Sequence, residues 1–130
     1  MSRLFDTNAY TALKRGHPEV TRLFKEAPSL VFSTIVIGEL TYGFRHGTQF
    51  ARNSAALDDM LGAPRVRVLP VSRLTADRYS RISAALRTTG KMIPTNDIWI
   101  AAHTFESGAE LLSFDAHFAA VPGLVWTHLR

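Results

Sequence analysis

The stretch LFDTN, Leu4–Asn8, ends a short strand-like run, Arg3 to Phe5, on a carboxylate, Asp6. Ala9 to Arg15 then reads as a helix stopped by Gly16, and Pro18 restarts a second helix through Ala27. A strand that hands the chain directly to a helix, with an acid at the junction, is the opening of an α/β unit. Working outward, SLVFS (Ser29–Ser33) reads as a buried strand, with Thr34 as the cap of a helix reaching Gly47. Phe50 to Leu61 is a further helix, closed by Gly62 and Pro64. Arg65 to Leu69 alternates as a half-buried strand. Ser72 to Thr89 is a long amphipathic helix with Tyr79, Ile82 and Leu86 on one face, ended by Gly90. Pro94 stands at the start of a helix that runs to Gly108. Ala109 to Phe114 is the fourth strand and Leu124 to Trp126 the fifth. Strands separated by helices, at crossover lengths, predict an α/β sandwich around a mostly parallel sheet.

At 130 residues the chain is long enough for one core and too short for two, so residues 1–130 are expected to form a single domain. Only Met1, Ser2 and Arg3 precede the first apolar residues, Leu4 and Phe5, so no secretory leader is expected. The longest run free of charged residues and histidine, Ala27 to Gly38, contains Pro28 and falls short of the roughly 18 apolar residues a membrane span needs. With no cysteine, disulfides and thiolate zinc sites are excluded, and a reducing, cytoplasmic setting is the expectation. The net charge of +4 suits a polyanionic partner.

Four acids stand out. In a parallel α/β fold ligands collect at the carboxyl ends of the strands. Asp6 follows the first strand directly, and Asp115 follows the fourth. Asp97 lies in the first turn of the helix that feeds that fourth strand, and Glu39 lies in the helix after the second. Taken singly, Asp6 has the chemistry of a helix cap, Asp97 that of a first-turn acid favoured by the helix dipole, and Asp115 that of a turn residue. Glu39 is harder to place so simply. Val36, Ile37, Leu40, Tyr42 and Phe44 surround it, so a buried carboxylate in need of a cation or donor is expected there. If the four converge, their repulsion is large: two carboxylates near 4 Å cost on the order of 4 kcal/mol at an effective dielectric of 20. Such a cluster takes up protons or binds a hard cation, and oxygen ligation selects Mg²⁺, Mn²⁺ or Ca²⁺ over zinc. A basic protein with such a pocket points to a phosphodiester substrate.

Four segments taken together, LFDTN, STIVIGELTYG (Ser33–Gly43), IPTNDIWIAAH (Ile93–His103) and LLSFDAHF (Leu111–Phe118), resemble in order the motifs of PIN-domain ribonucleases, in particular the VapC toxins of bacterial type II toxin–antitoxin pairs. The resemblance runs from Leu4 to Trp126. It implies a PIN-like three-layer sandwich, with a central sheet of about five strands flanked by helices. It also implies a Mg²⁺- or Mn²⁺-dependent endoribonuclease acting on RNA, with transfer RNA a candidate substrate. The partners it implies are a cognate antitoxin and a second copy of the chain in a homodimer. By motif, Asp6, Glu39, Asp97 and Asp115 become the catalytic and metal-binding acids. Thr7, Asn8 and Ser113 become substrate-positioning residues, Ser113 standing where the family often has a hydroxyl. Asn96 and Trp99 occupy variable positions, and Ala116 and His117 stand where more polar pairs are common; these departures bear on substrate fit and leave the metal pocket intact.

Lys14, Arg15, Arg45, Arg87 and Lys91 are candidates for phosphate contact, although any one of them is more often a solvated surface charge. The five histidines show no paired ligand spacing; His103 is expected to be packed or on the surface. Trp99 and Phe105 read as core or dimer interface. Two other functions compete. One is a nucleic-acid-binding or antitoxin-sequestered module whose acids are vestigial. The other is a Mg²⁺-dependent phosphoaspartyl hydrolase, suggested by Asp6–Thr7, but that chemistry wants an acid at the position held by Asn8.

Overall fold

The computed structural model describes residues 1–130. Five parallel strands form one sheet: β1 Arg3–Phe5, β2 Leu30–Ser33, β3 Val66–Leu69, β4 Glu110–Ser113 and β5 Trp126–His128, in the order β3-β2-β1-β4-β5. Six α-helices accompany them: α1 Thr7–Lys14, α2 Pro18–Glu26, α3 Thr34–His46, α4 Phe50–Leu61, α5 Arg73–Thr89 and α6 Thr95–Ser107. A 3₁₀ turn, Ala116–Ala120, lies between β4 and β5. Side chains alternate across the strands and build two cores. Leu4, Val31 and Leu111 face the larger one with Val36, Leu86 and Ile98; Phe5, Leu30 and Leu112 face a smaller one with Ala9, Val20 and Leu23. The expected α/β sandwich with its central sheet between helical layers is therefore the fold observed. No helix is long and apolar enough to cross a membrane.

The order of the strands positions the site. From β1 the chain moves to β2 and β3 on one side, then returns to place β4 and β5 on the other. The switch point lies between β1 and β4, where helices depart in opposite directions and leave a crevice at the carboxyl ends. Asp6 and Asp115 follow those two strands.

Several boundaries differ from the sequence reading for definable reasons. The helix at β2 is capped by Ser33, not Thr34: the Ser33 hydroxyl accepts from the Ile35 amide at 3.1 Å. The fifth strand is Trp126–His128, two residues beyond the expected Leu124–Trp126. Gly123, at φ +76°, still turns the chain, and pairing begins only where the Leu111 amide donates to the Val125 carbonyl. β3 is an edge strand, so Arg67 and Val68 are both exposed and only Leu69 is buried; the expected half-buried alternation is absent. The 3₁₀ turn carried no periodic signal and was not anticipated.

His103 is buried completely and joins three elements. Its Nε2 is 3.1 Å from the Pro70 carbonyl, which only accepts, so Nε2 carries the proton. Nδ1 is then the acceptor for the Ser33 hydroxyl at 2.7 Å. One imidazole thus ties α6, which carries Asp97, to the cap of α3, which carries Glu39. His103→Phe leaves a buried hydroxyl and a carbonyl short of partners and is expected to cost about 2–4 kcal/mol. The denaturant midpoint measures it; an unchanged midpoint contradicts the clamp.

Candidate active site

All four expected acids line one cavity of about 530 Å³ at the carboxyl end of the sheet, together with Thr7, Asn8, Asn96 and His117. Each arrives by a different route. Asp6 is the residue between β1 and α1, and it does cap the helix: Oδ1 accepts from the Ala9 amide at 2.9 Å. The cap and the cavity acid are the same group. It is 5% exposed, and burial pushes its pKa from 3.8 up to about 6. The Ser113 hydroxyl and the Ala9 amide act in the opposite direction, while Asp115 and Asp97 raise it further.

Asp97 occupies the first turn of α6, whose N-cap is Pro94. Burial again raises its pKa; His117 lowers it, and Asp115 and Glu39 add repulsion. Asp115 stands at the start of the 3₁₀ turn, its side chain nearly half exposed. Glu39 corrects an expectation. It is half-buried, and the neighbouring Gly38 and Tyr42 are exposed, Tyr42 by 64%. Apolar residues around it in sequence do not enclose it, because only Val36 and Leu40 of that helix are buried. Its carboxylate is held at the surface of the cavity by the Thr7 hydroxyl at 2.5 Å and the Asn96 amide at 3.2 Å.

Ser113 also sits differently. It is completely buried and does not line the cavity. Its hydroxyl accepts from the Asp115 amide at 3.0 Å and favours the ionised form of Asp6, so it contacts two of the acids from the buried side. Thr7 lines the cavity but gives its proton to Glu39, whereas Asn8 is exposed there.

His117 was assigned to substrate fit, outside the metal pocket. The structure puts its Nε2 2.5 Å from Asp97 Oδ2 and 3.6 Å from Asp115 Oδ2. Donor atoms of Asp97, Asp115 and His117 all lie within 4.8 Å of one another. No paired histidine spacing marked it; the available signal was its position two residues after Asp115, in the turn over the strand end.

The five basic candidates do not reach this cavity. Lys14 and Arg15 share a second cleft with Tyr10, Phe44 and Asn53. Arg45 lies over the Phe50 ring at 4.4 Å. Arg87 and Lys91 are exposed at the end of α5 and just beyond it. Trp99 is half-buried and stacks on Tyr79, with centroids 4.1 Å apart.

Chemically, the cavity offers carboxylate oxygens from four segments and one imidazole nitrogen, with no thiol and no lysine or arginine in its walls. Crowded acids that share no basic partner from Lys or Arg suit a hard divalent cation, and oxygen donors suit Mg²⁺, Mn²⁺ or Ca²⁺ over zinc.

Comparison with known proteins agrees with this geometry. Ribonuclease VapC2 of Haemophilus influenzae is 33% identical over 112 residues, covering 85% of this chain and 83% of its own. VapBC2 from Rickettsia felis, solved bound to a DNA fragment from its promoter, superposes with a TM-score of 0.87 over the whole of both chains, at 23% identity. A toxin–antitoxin complex from Klebsiella pneumoniae superposes with a TM-score of 0.72 at 28% identity, covering 98% of each chain. The PIN domain family matches residues 3–124. The chain belongs to the PIN-domain family, alongside the relatives named VapC ribonucleases.

Proposed function

We propose that this protein is a Mg²⁺- or Mn²⁺-dependent endoribonuclease, the toxin of a type II toxin–antitoxin pair. The observation that carries the reading is the convergence of Asp6, Glu39, Asp97 and Asp115 on one cavity at the switch point of the sheet. Asp6, Glu39, Asp97 and Asp115 would hold the cation. A bound divalent cation polarises the scissile phosphate and acidifies a water. The chain's own residues do the rest. Glu39, fixed by Thr7 and Asn96, orients an attacking water through its carboxylate. Asn8 presents an exposed amide to the phosphate or ribose. Ser113 and the Ala9 amide hold the acids in place from beneath. The +4 charge, carried in part by Lys14, Arg15, Arg45, Arg87 and Lys91, holds the polyanion over the acidic cavity.

The relatives named ribonucleases and toxin–antitoxin complexes support RNA as the substrate and a cognate antitoxin as the inhibitor; transfer RNA as the first candidate, a homodimer as the assembly and a cytoplasmic site of action complete the proposal. The single-domain organisation is proposed on the same basis, with one match spanning residues 3–124.

The test is cleavage of total transfer RNA by purified protein. Cutting is expected with Mg²⁺ or Mn²⁺ and none in EDTA, with activity restored on readdition. Cleavage that survives full chelation contradicts the metal dependence. RNA bound but never cut under either cation favours the binding-module alternative.

A further inference from the structure

His117 is the only residue of the cavity that can offer a nitrogen lone pair, because the nearby Asn8 and Asn96 amide nitrogens are donors alone. We infer that His117 is a direct ligand of the cation and that its imidazole makes the site prefer Mn²⁺ to Mg²⁺. The inference rests on the metal-binding part of the proposed function and names a further ligand for it.

Three observations carry it. The first is distance. His117 Nε2 lies 2.5 Å from an Asp97 oxygen and 3.6 Å from an Asp115 oxygen, both shorter than the span of about 4.2 Å between opposite ligands of one small cation, and one donor atom from each of the three residues falls within 4.8 Å of the others. The second is how the ring is held. His117 lies in the 3₁₀ turn beside Phe118, which is completely buried, and the two rings lie 5.3 Å apart. Phe118 anchors the turn in the core while His117, 32% exposed, faces the acids. The third is the company it keeps. The charged groups facing it are Asp97 and Asp115, with Asp6 and Glu39 in the same cavity, and no lysine or arginine lines that cavity. The imidazole is therefore aimed at the place where the acids need a cation.

The consequence follows from ligand chemistry. Mg²⁺ takes oxygen donors in a strict octahedron and sheds water reluctantly, whereas transition-metal cations accept imidazole readily. A mixed donor set of carboxylates and one imidazole thus gains more with Mn²⁺ than with Mg²⁺. If His117 only positioned Asp97 through their 2.5 Å contact, its loss would weaken both cations alike.

The experiment is Mn²⁺ binding followed by electron paramagnetic resonance, with ¹⁴N coupling read by electron spin echo modulation and Mg²⁺ affinity by competition. It uses the wild type, His117→Gln and His117→Ala, without RNA. The wild type is expected to show directly bonded ¹⁴N coupling that both variants lose. The variants' Mn²⁺ affinity should fall on the order of tenfold while Mg²⁺ affinity changes less than about twofold. Mn²⁺ bound by the wild type without ¹⁴N coupling overturns the ligand assignment, even if the variants fail to fold. Mn²⁺ and Mg²⁺ affinities that fall together, or do not fall, also overturn it. Either result leaves the metal-dependent reading standing, whereas no Mn²⁺ binding at all removes both.

Discussion

Asp6→Asn is expected to lower RNA cleavage by roughly 100- to 1000-fold, the loss that follows from removing several kcal/mol of metal-assisted stabilisation. The substitution is informative because the asparagine side chain keeps its shape. Its oxygen can still accept from the Ala9 amide, so α1 stays capped. What is lost is one negative charge in the cavity. RNA binding should persist or tighten, since a charge that repels phosphate has gone. Asp58→Asn, at an exposed position in α4 away from the cavity, is the control and should leave cleavage unchanged. Full activity in Asp6→Asn would reduce Asp6 to a helix cap.

The same substitution should stabilise the metal-free protein, with a pH dependence set by the raised pKa. Asp6 titrates near 3.8 when unfolded and about 6 when folded, so the folded state holds the proton more tightly. Its contribution to stability is fully present below about pH 4 and is lost as pH rises to about 6. A shift of that size corresponds to about 3 kcal/mol. In EDTA, Asp6→Asn should therefore gain on the wild type between pH 4 and 6 and keep that advantage above pH 6. Saturating Mn²⁺ should raise the wild-type melting temperature and shrink the advantage, because binding to the folded state alone stabilises it. Denaturant melts across pH measure the difference. A flat difference curve would mean that Asp6 ionises in the fold as it does in the unfolded chain.

The sequence revealed the acids better than their surroundings. Asp6 was legible because a short apolar strand runs straight into it, and position after a strand is what matters in a parallel sheet. The order β3-β2-β1-β4-β5, which brings Asp6 beside Asp115, depends on long-range pairing of Arg3–Phe5 with Glu110–Leu112 and cannot be read from either segment. Glu39 was found by its motif but placed in the wrong environment. Apolar neighbours in sequence spread around a helix, and here Tyr42 and Gly38 point outward while Val36 and Leu40 point in. His117 was undervalued because its partner Asp97 lies 20 residues earlier, on another element. Ser113 was identified as important, but its complete burial beneath the acids emerges only from the packing of β4. Edge strands were the weakest part of the reading. β3 exposes Val68, and β5 is built partly of Thr127 and His128, so hydrophobic pattern marks neither boundary.

The chemistry proposed for the acid cavity would leave a signature in the products. Water attack on the phosphodiester with departure of the 3′-oxygen, protonated as it leaves, gives a 5′-phosphate and a 3′-hydroxyl, whereas attack by the ribose 2′-hydroxyl with departure of the 5′-oxygen gives a cyclic phosphate and a 5′-hydroxyl. The most direct measurement is end-group analysis of RNA fragments produced by purified wild type in Mn²⁺, with a matched EDTA reaction. The four-acid, metal-dependent account predicts 5′-phosphate and 3′-hydroxyl ends in Mn²⁺ and intact RNA in EDTA. Cyclic phosphate ends that appear equally in both reactions would contradict it.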